Sequence, residues 1–146
     1  TLHTNDAPSA ISRLIDMGAE DYLLASSILG ILAQRLVRVI CEQCREPVRP
    51  EPAILKQFGF QPDTLFYQGK GCPACANTGY RGRIGIFELM PMTEEIKHLT
   101  ISNAPASQIR KTAIEQGMRT LQEDGFLKVR KGWTTLAEVL RVTQDV

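Results

Sequence analysis

The sequence predicts an α/β protein: a helical start, a cysteine-rich lobe of little regular structure, one strand, and a helical C-terminal domain. Three observations carry this. Apolar residues recur at helical spacing in the first 40 residues and again after Pro91. A glycine-punctuated run from Gly79 to Met90 alternates in the manner of a strand. All four cysteines lie between the helical start and that strand, in two pairs. The chain therefore divides in order into 1–40, 41–77, 78–91 and 92–146.

With 146 residues and 43% hydrophobic content, the chain is long enough to bury a core and reads as a soluble globular protein. Its net charge of +1 argues against a phosphate-tracking surface, so nucleic acid is not an expected partner. The most apolar stretch, Tyr22 to Ile40, is interrupted by Gln34, Arg35 and Arg38, so no direct membrane span is expected. No signal peptide opens the chain, and Thr1 stands where a start methionine would, so further sequence is expected upstream.

Asn5 and Asp6 suit a helix cap, Pro8 suits a first turn, and Ile11, Leu14 and Ile15 share a face before Gly18, which predicts a helix over about 7–17. A second helix is expected from about Asp21 to Ile40, with Leu23, Leu24, Ile28, Leu29, Leu32 and Leu36 wrapping most of its circumference. Pro47, Pro50, Pro52 and Pro62 then mark an irregular insert in which only Ala53 to Phe58 reads as a short helix. Ile84 and Ile86 place the strand at about 83–90. Beyond Pro91, Thr93 caps a helix carrying Ile96 and Leu99, and Pro105 opens another that ends at Gly117. Thr120 with Glu123, and Thr135 with Glu138, have the spacing of reciprocal capping boxes. Leu136, Val139 and Leu140 form the short apolar stripe of the last helix.

Cys41-Glu-Gln-Cys44 and Cys72-Pro-Ala-Cys75 are two C-x2-C pairs, the spacing at which a tight turn aims two thiolates at one metal. Four thiolates would close a tetrahedron around zinc and leave no position for water, so the expected role is structural. The pairs stand further apart than in a short zinc ribbon. The residues between them must form a small lobe, and with little apolar content of its own a metal clip would help it fold. Structural disulfides are one rival, although nothing marks the chain as exported. A redox dithiol is the other, but Cys72-Pro-Ala-Cys75 leads into Ala-Asn-Thr-Gly, a loop, where a redox pair normally opens a helix.

The segment from Thr1 to Leu14, beginning Thr-Leu-His-Thr-Asn-Asp-Ala-Pro, resembles the histidine box of secretion ATPases. The likeness continues through Ala33-Gln-Arg-Leu-Val37, the tetracysteine insert, Thr78-Gly-Tyr-Arg-Gly-Arg-Ile-Gly-Ile-Phe-Glu88 and Glu138-Val-Leu-Arg-Val-Thr143. In that order these motifs are similar to the bacterial type II secretion protein E family and the closely related type IV pilus assembly ATPases. The resemblance implies that residues 1–40 are the C-terminal part of a RecA-like core, with Thr1 and Leu2 ending a core strand. It further implies a homohexamer using ATP and magnesium, cytoplasmic and held peripherally at the inner membrane through secretion or pilus platform proteins.

By the same resemblance His3 would be catalytic, beside the γ-phosphate, and Gln34 and Arg35 would belong to the nucleotide site. The ordinary structural alternatives are a satisfied polar group for His3 and an internal ion-pair partner for Arg35. Gly69-Lys70 is not a P-loop, because no glycine precedes it at the required distance and no Ser or Thr follows the lysine. This chain alone is therefore expected to be inactive. Arg81 and Arg83 are read as balancing the negative thiolate cluster, Tyr80 as packing, and His98 as solvent-facing. Insert length and Glu123-Asp124-Gly125 lean towards type II secretion over pilus assembly. From other classes of function, a free-standing zinc adaptor and a thiol oxidoreductase remain the rivals.

Overall fold

In the computed structural model, which describes residues 2–144, the chain leaves helix at Ile28 and becomes a strand. Helix α1 spans Ala7–Asp16, α2 only Asp21–Ser27, and strand β1 Gly30–Ile40. The single long helix expected to Ile40 is thus corrected. Along β1 the odd-numbered residues from Ile31 to Val39 are buried or half-buried while the even-numbered ones from Gly30 to Arg38 are exposed, a period of two. Leucines occupy the outward positions as well, with Leu32 59% and Leu36 44% exposed, and apolar residues on both faces imitate an all-round apolar helix. The β-branched Ile28, Ile31, Val37, Val39 and Ile40 tip the segment towards strand.

The partner of β1 is β4, Tyr80–Pro91, longer than the expected 83–90. Met92 N–H donates to Leu29 O and Cys41 N–H to Gly79 O, each at 2.9 Å, so the pair runs antiparallel. Two compact units divide the chain. One holds residues up to Gln34 with Phe87–Leu121, and the other holds Arg35–Ile86 with the residues from Gln122 onward. They are interleaved along the sequence, whereas the sequence reading divides it consecutively.

In the first unit Asp6 caps α1 by accepting from Ser9 N–H at 2.9 Å, with Pro8 in the first turn. Thr93 caps α4, Glu94–Ile101, by accepting from Ile96 N–H, and α5 runs Ala106–Glu115 before Gly117 turns the chain at φ +100°. Ile11, Met90, Ile96, Ile109, Ala113 and Met118 form the core these helices share. Glu88 points inward from β4 and is 2% exposed. Its two oxygens accept from Ala7 N–H at 2.8 Å and Leu121 N–H at 3.0 Å, the first amides of α1 and α6. Helix N-termini carry unpaired donors and partial positive charge, so a buried carboxylate is satisfied there without a cation.

In the second unit β2, Arg45–Val48, pairs antiparallel with β3, Phe66–Gly69, from Arg45 opposite Gly69 to Val48 opposite Phe66. Helix α3, Pro52–Gln57, matches the short helix expected in the insert. The lobe has more apolar filling than its composition suggested. Phe60 lies 5.0 Å from Phe66 and 5.1 Å from Phe126 of α6, Leu121–Arg130, in ring-to-ring contact. A Cβ at Gly125 would overlap Val139 of α7, Leu136–Thr143, so glycine lets the two helices approach.

Thr135 caps α7 by accepting from Glu138 N–H. The Glu138 carboxylate has other partners: Arg38 donates from its backbone N–H at 2.9 Å and its guanidinium at 2.7 Å, and Arg141 donates twice, at 3.1 and 3.0 Å. Its expected return bond in a capping box gives way to these charge-assisted ones. Burial works to raise the Glu138 pKa, but the bonds from Arg141 and Arg38 prevail and hold it down at about 2. No helix among the described residues is long and apolar enough to cross a membrane.

Candidate metal centre

Each cysteine pair sits where a regular element ends. The first follows β1 directly, with Cys41 held by its N–H bond to Gly79 O, and runs into β2 at Arg45. In the second, Cys72 opens a single 3-10 turn, Pro73–Cys75, after which Ala76 and Asn77 adopt left-handed φ of 52° and 59°. That reversal leads through Gly79, φ +80°, into β4. Local chain chemistry therefore folds each C-x2-C into a knuckle.

The knuckles face one another. Sγ atoms of Cys41 and Cys72 are 3.8 Å apart, those of Cys44 and Cys75 3.8 Å, and those of Cys72 and Cys75 3.7 Å. All four sulfurs lie within 4.8 Å of one another. A disulfide needs about 2.05 Å, and all four thiols are free. Zinc–thiolate bonds of about 2.3 Å arranged tetrahedrally put sulfurs about 3.8 Å apart, which is the spacing of these three pairs. Cys41 and Cys75 are buried, at 1% and 7% exposure. An all-sulfur tetrahedron is a donor set that suits zinc, so the residues fit the ion.

Backbone amides point at the sulfurs. Gly71 N–H donates to Cys44 Sγ at 3.3 Å, and Cys75 Sγ receives Cys72 N–H at 3.3 Å and Gly79 N–H at 3.2 Å. Burial pushes the Cys75 thiol up, but these two amides, with the side chains of Cys72 and Cys44, outweigh it and bring it down to about 6. Burial dominates at Cys44 and raises that thiol to about 11. Four thiols this close cannot all ionise without a cation among them, and a divalent metal would supply it. The second pair leads into a left-handed loop instead of opening an α-helix, unlike the usual setting of a redox dithiol.

The other residues singled out from the sequence lie apart from this cluster. His3 is exposed and, with Leu2 and Thr4, belongs to no regular element ahead of α1; Thr1 lies outside the described residues. Gln34 and Arg35 are neighbours on β1 and so project to opposite faces, the first exposed and the second half-buried. Arg81 borders a cavity with Cys41, Glu42 and Gln43, and Arg83 is exposed at the start of β4. Tyr80 does pack: the Arg38 guanidinium lies 4.2 Å from its ring centre, and its hydroxyl bonds Thr135 Oγ1 at 2.8 Å. His98 is exposed.

Two buried carboxylates were not foreseen as anchors. Glu88 occupies an inward position of β4 in series with Ile84, Ile86 and Met90, and a charge at such a register is the available signal. Glu138 was noticed only as a cap, because its partner Arg38 lies a hundred residues away.

The sequence profile described as Type II/IV secretion system protein matches residues 1–141. The chain is 44% identical over 147 residues to a type IV pilus assembly ATPase, PilB, of Thermus thermophilus, covering 98% of this chain and 16% of that protein. It is 45% identical to a type II secretion system protein E of Pectobacterium carotovorum, covering 99% of this chain and 29% of the relative. It is 47% identical to the type II secretion system protein HxcR of Pseudomonas aeruginosa, covering 99% and 28%. The chain thus spans less than a third of the length of these relatives. With an unbroken match from its histidine segment through both cysteine knuckles to α7, the chain belongs to the type II/IV secretion system protein family.

Proposed function

We propose that this chain is part of a hexameric ATPase that powers type II protein secretion by driving pseudopilus assembly, and that its cysteine lobe is held by one structural zinc. The observation that carries the reading is the match over residues 1–141, with protein E relatives aligned along nearly the whole chain. Assembly of type IV pili is the second reading, favoured by the 44% identity to PilB of T. thermophilus.

In this proposal residues 1–40 complete a RecA-like nucleotide domain, which brings ATP and magnesium in the full-length enzyme. The protein acts at the cytoplasmic face of the inner membrane through platform proteins there. Bound zinc would fix the two knuckles and offer no open position for chemistry. Cys41, Cys44, Cys72 and Cys75 hold it, and the amides of Gly71, Cys72 and Gly79 orient their sulfurs.

His3 is the proposed catalytic residue. On an exposed segment just ahead of the capped α1, its imidazole is free to reach a γ-phosphate or the attacking water, contacts that count most in the transition state. Gln34 and Arg35 project to opposite faces of one strand, so at most one of them can meet the nucleotide directly. In the full-length hexamer, His3→Ala should lower kcat by about 10²- to 10⁴-fold with a smaller change in ATP affinity. An unchanged kcat per folded hexamer would defeat the catalytic role. The present chain alone should show no steady ATP hydrolysis, since none of its segments forms the phosphate cradle of a P-loop.

A further inference from the structure

The second knuckle is a loop whose two ends run side by side at a distance that excludes side chains. A Cβ built on Gly69 would overlap the backbone of Gly79, and one built on Gly79 would stand 2.6 Å from Gly69 O. One step inward, a Cβ on Gly71 would meet Asn77 O at 3.2 Å. The residues entering the knuckle at 69–71 and leaving it at 77–79 therefore form a narrow neck.

The neck is bonded to both knuckles. Gly79 offers its N–H to Cys75 Sγ and its carbonyl to Cys41 N–H, touching one ligand of each pair. On the entering side, Lys70 N–H donates to Cys44 O at 3.0 Å and Gly71 N–H to Cys44 Sγ. Widening the neck by one methyl would move Gly79 away from Gly69, and with it the amides that aim Cys75 and Cys44. Only glycine at both positions keeps the four sulfurs in one tetrahedron.

We infer that Gly69 and Gly79 are positioning residues of the metal site, a backbone clamp that holds the two cysteine knuckles in register. The inference rests on the zinc reading above. Gly69 is the informative position, because its backbone lies outside the left-handed region and Gly69→Ala adds volume alone. Gly82→Ala is the control: at φ +81° it carries the same backbone strain as a substitution at Gly79, yet nothing lies within 4 Å of its Cβ.

The experiment loads wild type, Gly69→Ala and Gly82→Ala with zinc and follows its transfer to a chromophoric chelator, with amide hydrogen exchange recorded on each. Loss of a group that orients a ligand typically costs about 10- to 100-fold in metal affinity, so Gly69→Ala should release zinc faster by that order. Gly82→Ala should release it at nearly the wild-type rate. If wild type holds no tight zinc, the metal reading itself fails. If wild type holds zinc and Gly69→Ala releases it no faster, or if both variants release it equally fast, the clamp is wrong. A Gly69→Ala chain whose amides in α1, α4 and α5 lose protection would also contradict it, because the clamp acts on the knuckles. A variant whose lobe orders only in excess zinc supports it.

Discussion

The core cluster of the first unit is built from Ala, Ile and Met, whereas the second unit buries three phenylalanines, two of the four cysteines of its sulfur cluster, and a carboxylate gripped by two guanidiniums. Even the buried acids differ. Glu88 in the first unit is satisfied by backbone amides, and Glu138 in the second by Arg38 and Arg141. The core of the first unit rests on non-directional packing, which removal of a metal leaves untouched. The second depends on directional contacts, each of which a defined chemical condition can remove. Sequence accounts for the contrast: residues 41–77 are rich in proline, so the lobe needs the cluster and the borrowed Phe126 to close.

The largest expected break is at the cysteines. Structural zinc sites in small domains contribute on the order of 10 kcal/mol to folding, so Cys44→Ser or metal removal should unfold the lobe around residues 41–77. Phe126 packs edge-on against Phe58 and at a tilt against Phe60, so α6 should lose protection with the lobe while α1, α4 and α5 keep theirs. Hydrogen exchange by region reads the difference, and uniform loss across both units would erase the comparison.

A converse break lies in the first unit. Ile96 is fully buried in its core, and Ile96→Ala should cost about 2–5 kcal/mol in a denaturant titration. Zinc content should be unaffected.

A smaller effect, confined to the second unit, should follow pH. The Glu138 pKa is lowered from 4.5 to about 2, so its folded carboxylate binds protons less readily than the unfolded one. Its stabilisation is complete above about pH 4.5 and is lost as pH falls towards 2, amounting to on the order of 3 kcal/mol. Glu138→Gln should flatten the acid side of the second unit's stability profile. The smallest change expected is Thr135→Ala, which removes the α7 cap and the Tyr80 bond for about 1–2 kcal/mol.

Features encoded by neighbouring residues were legible in the sequence. The two C-x2-C pairs identify the cluster because a tight turn fixes each pair by itself, and Asp6 and Thr93 mark helix starts by bonds three residues long. Long-range features were not. Strand β1 reads as helix in the sequence because Leu32 and Leu36 on its outward face hide the period of two, and its partner β4 begins 40 residues after it ends. The β-branched Ile31, Val37, Val39 and Ile40 are the cue to strand. Glu88 bonds amides 81 and 33 residues away, and the Gly69–Gly79 clamp depends on a backbone approach that no spacing rule encodes.

The central claim, that four thiolates enclose one metal, is tested most directly by replacing bound metal with cobalt in the purified chain and recording metal content and absorption together. One metal per chain is expected, with intense thiolate-to-cobalt charge transfer and the visible bands of a tetrahedral site. A folded chain that carries almost no metal, or a cobalt spectrum without thiolate character, would contradict the assignment.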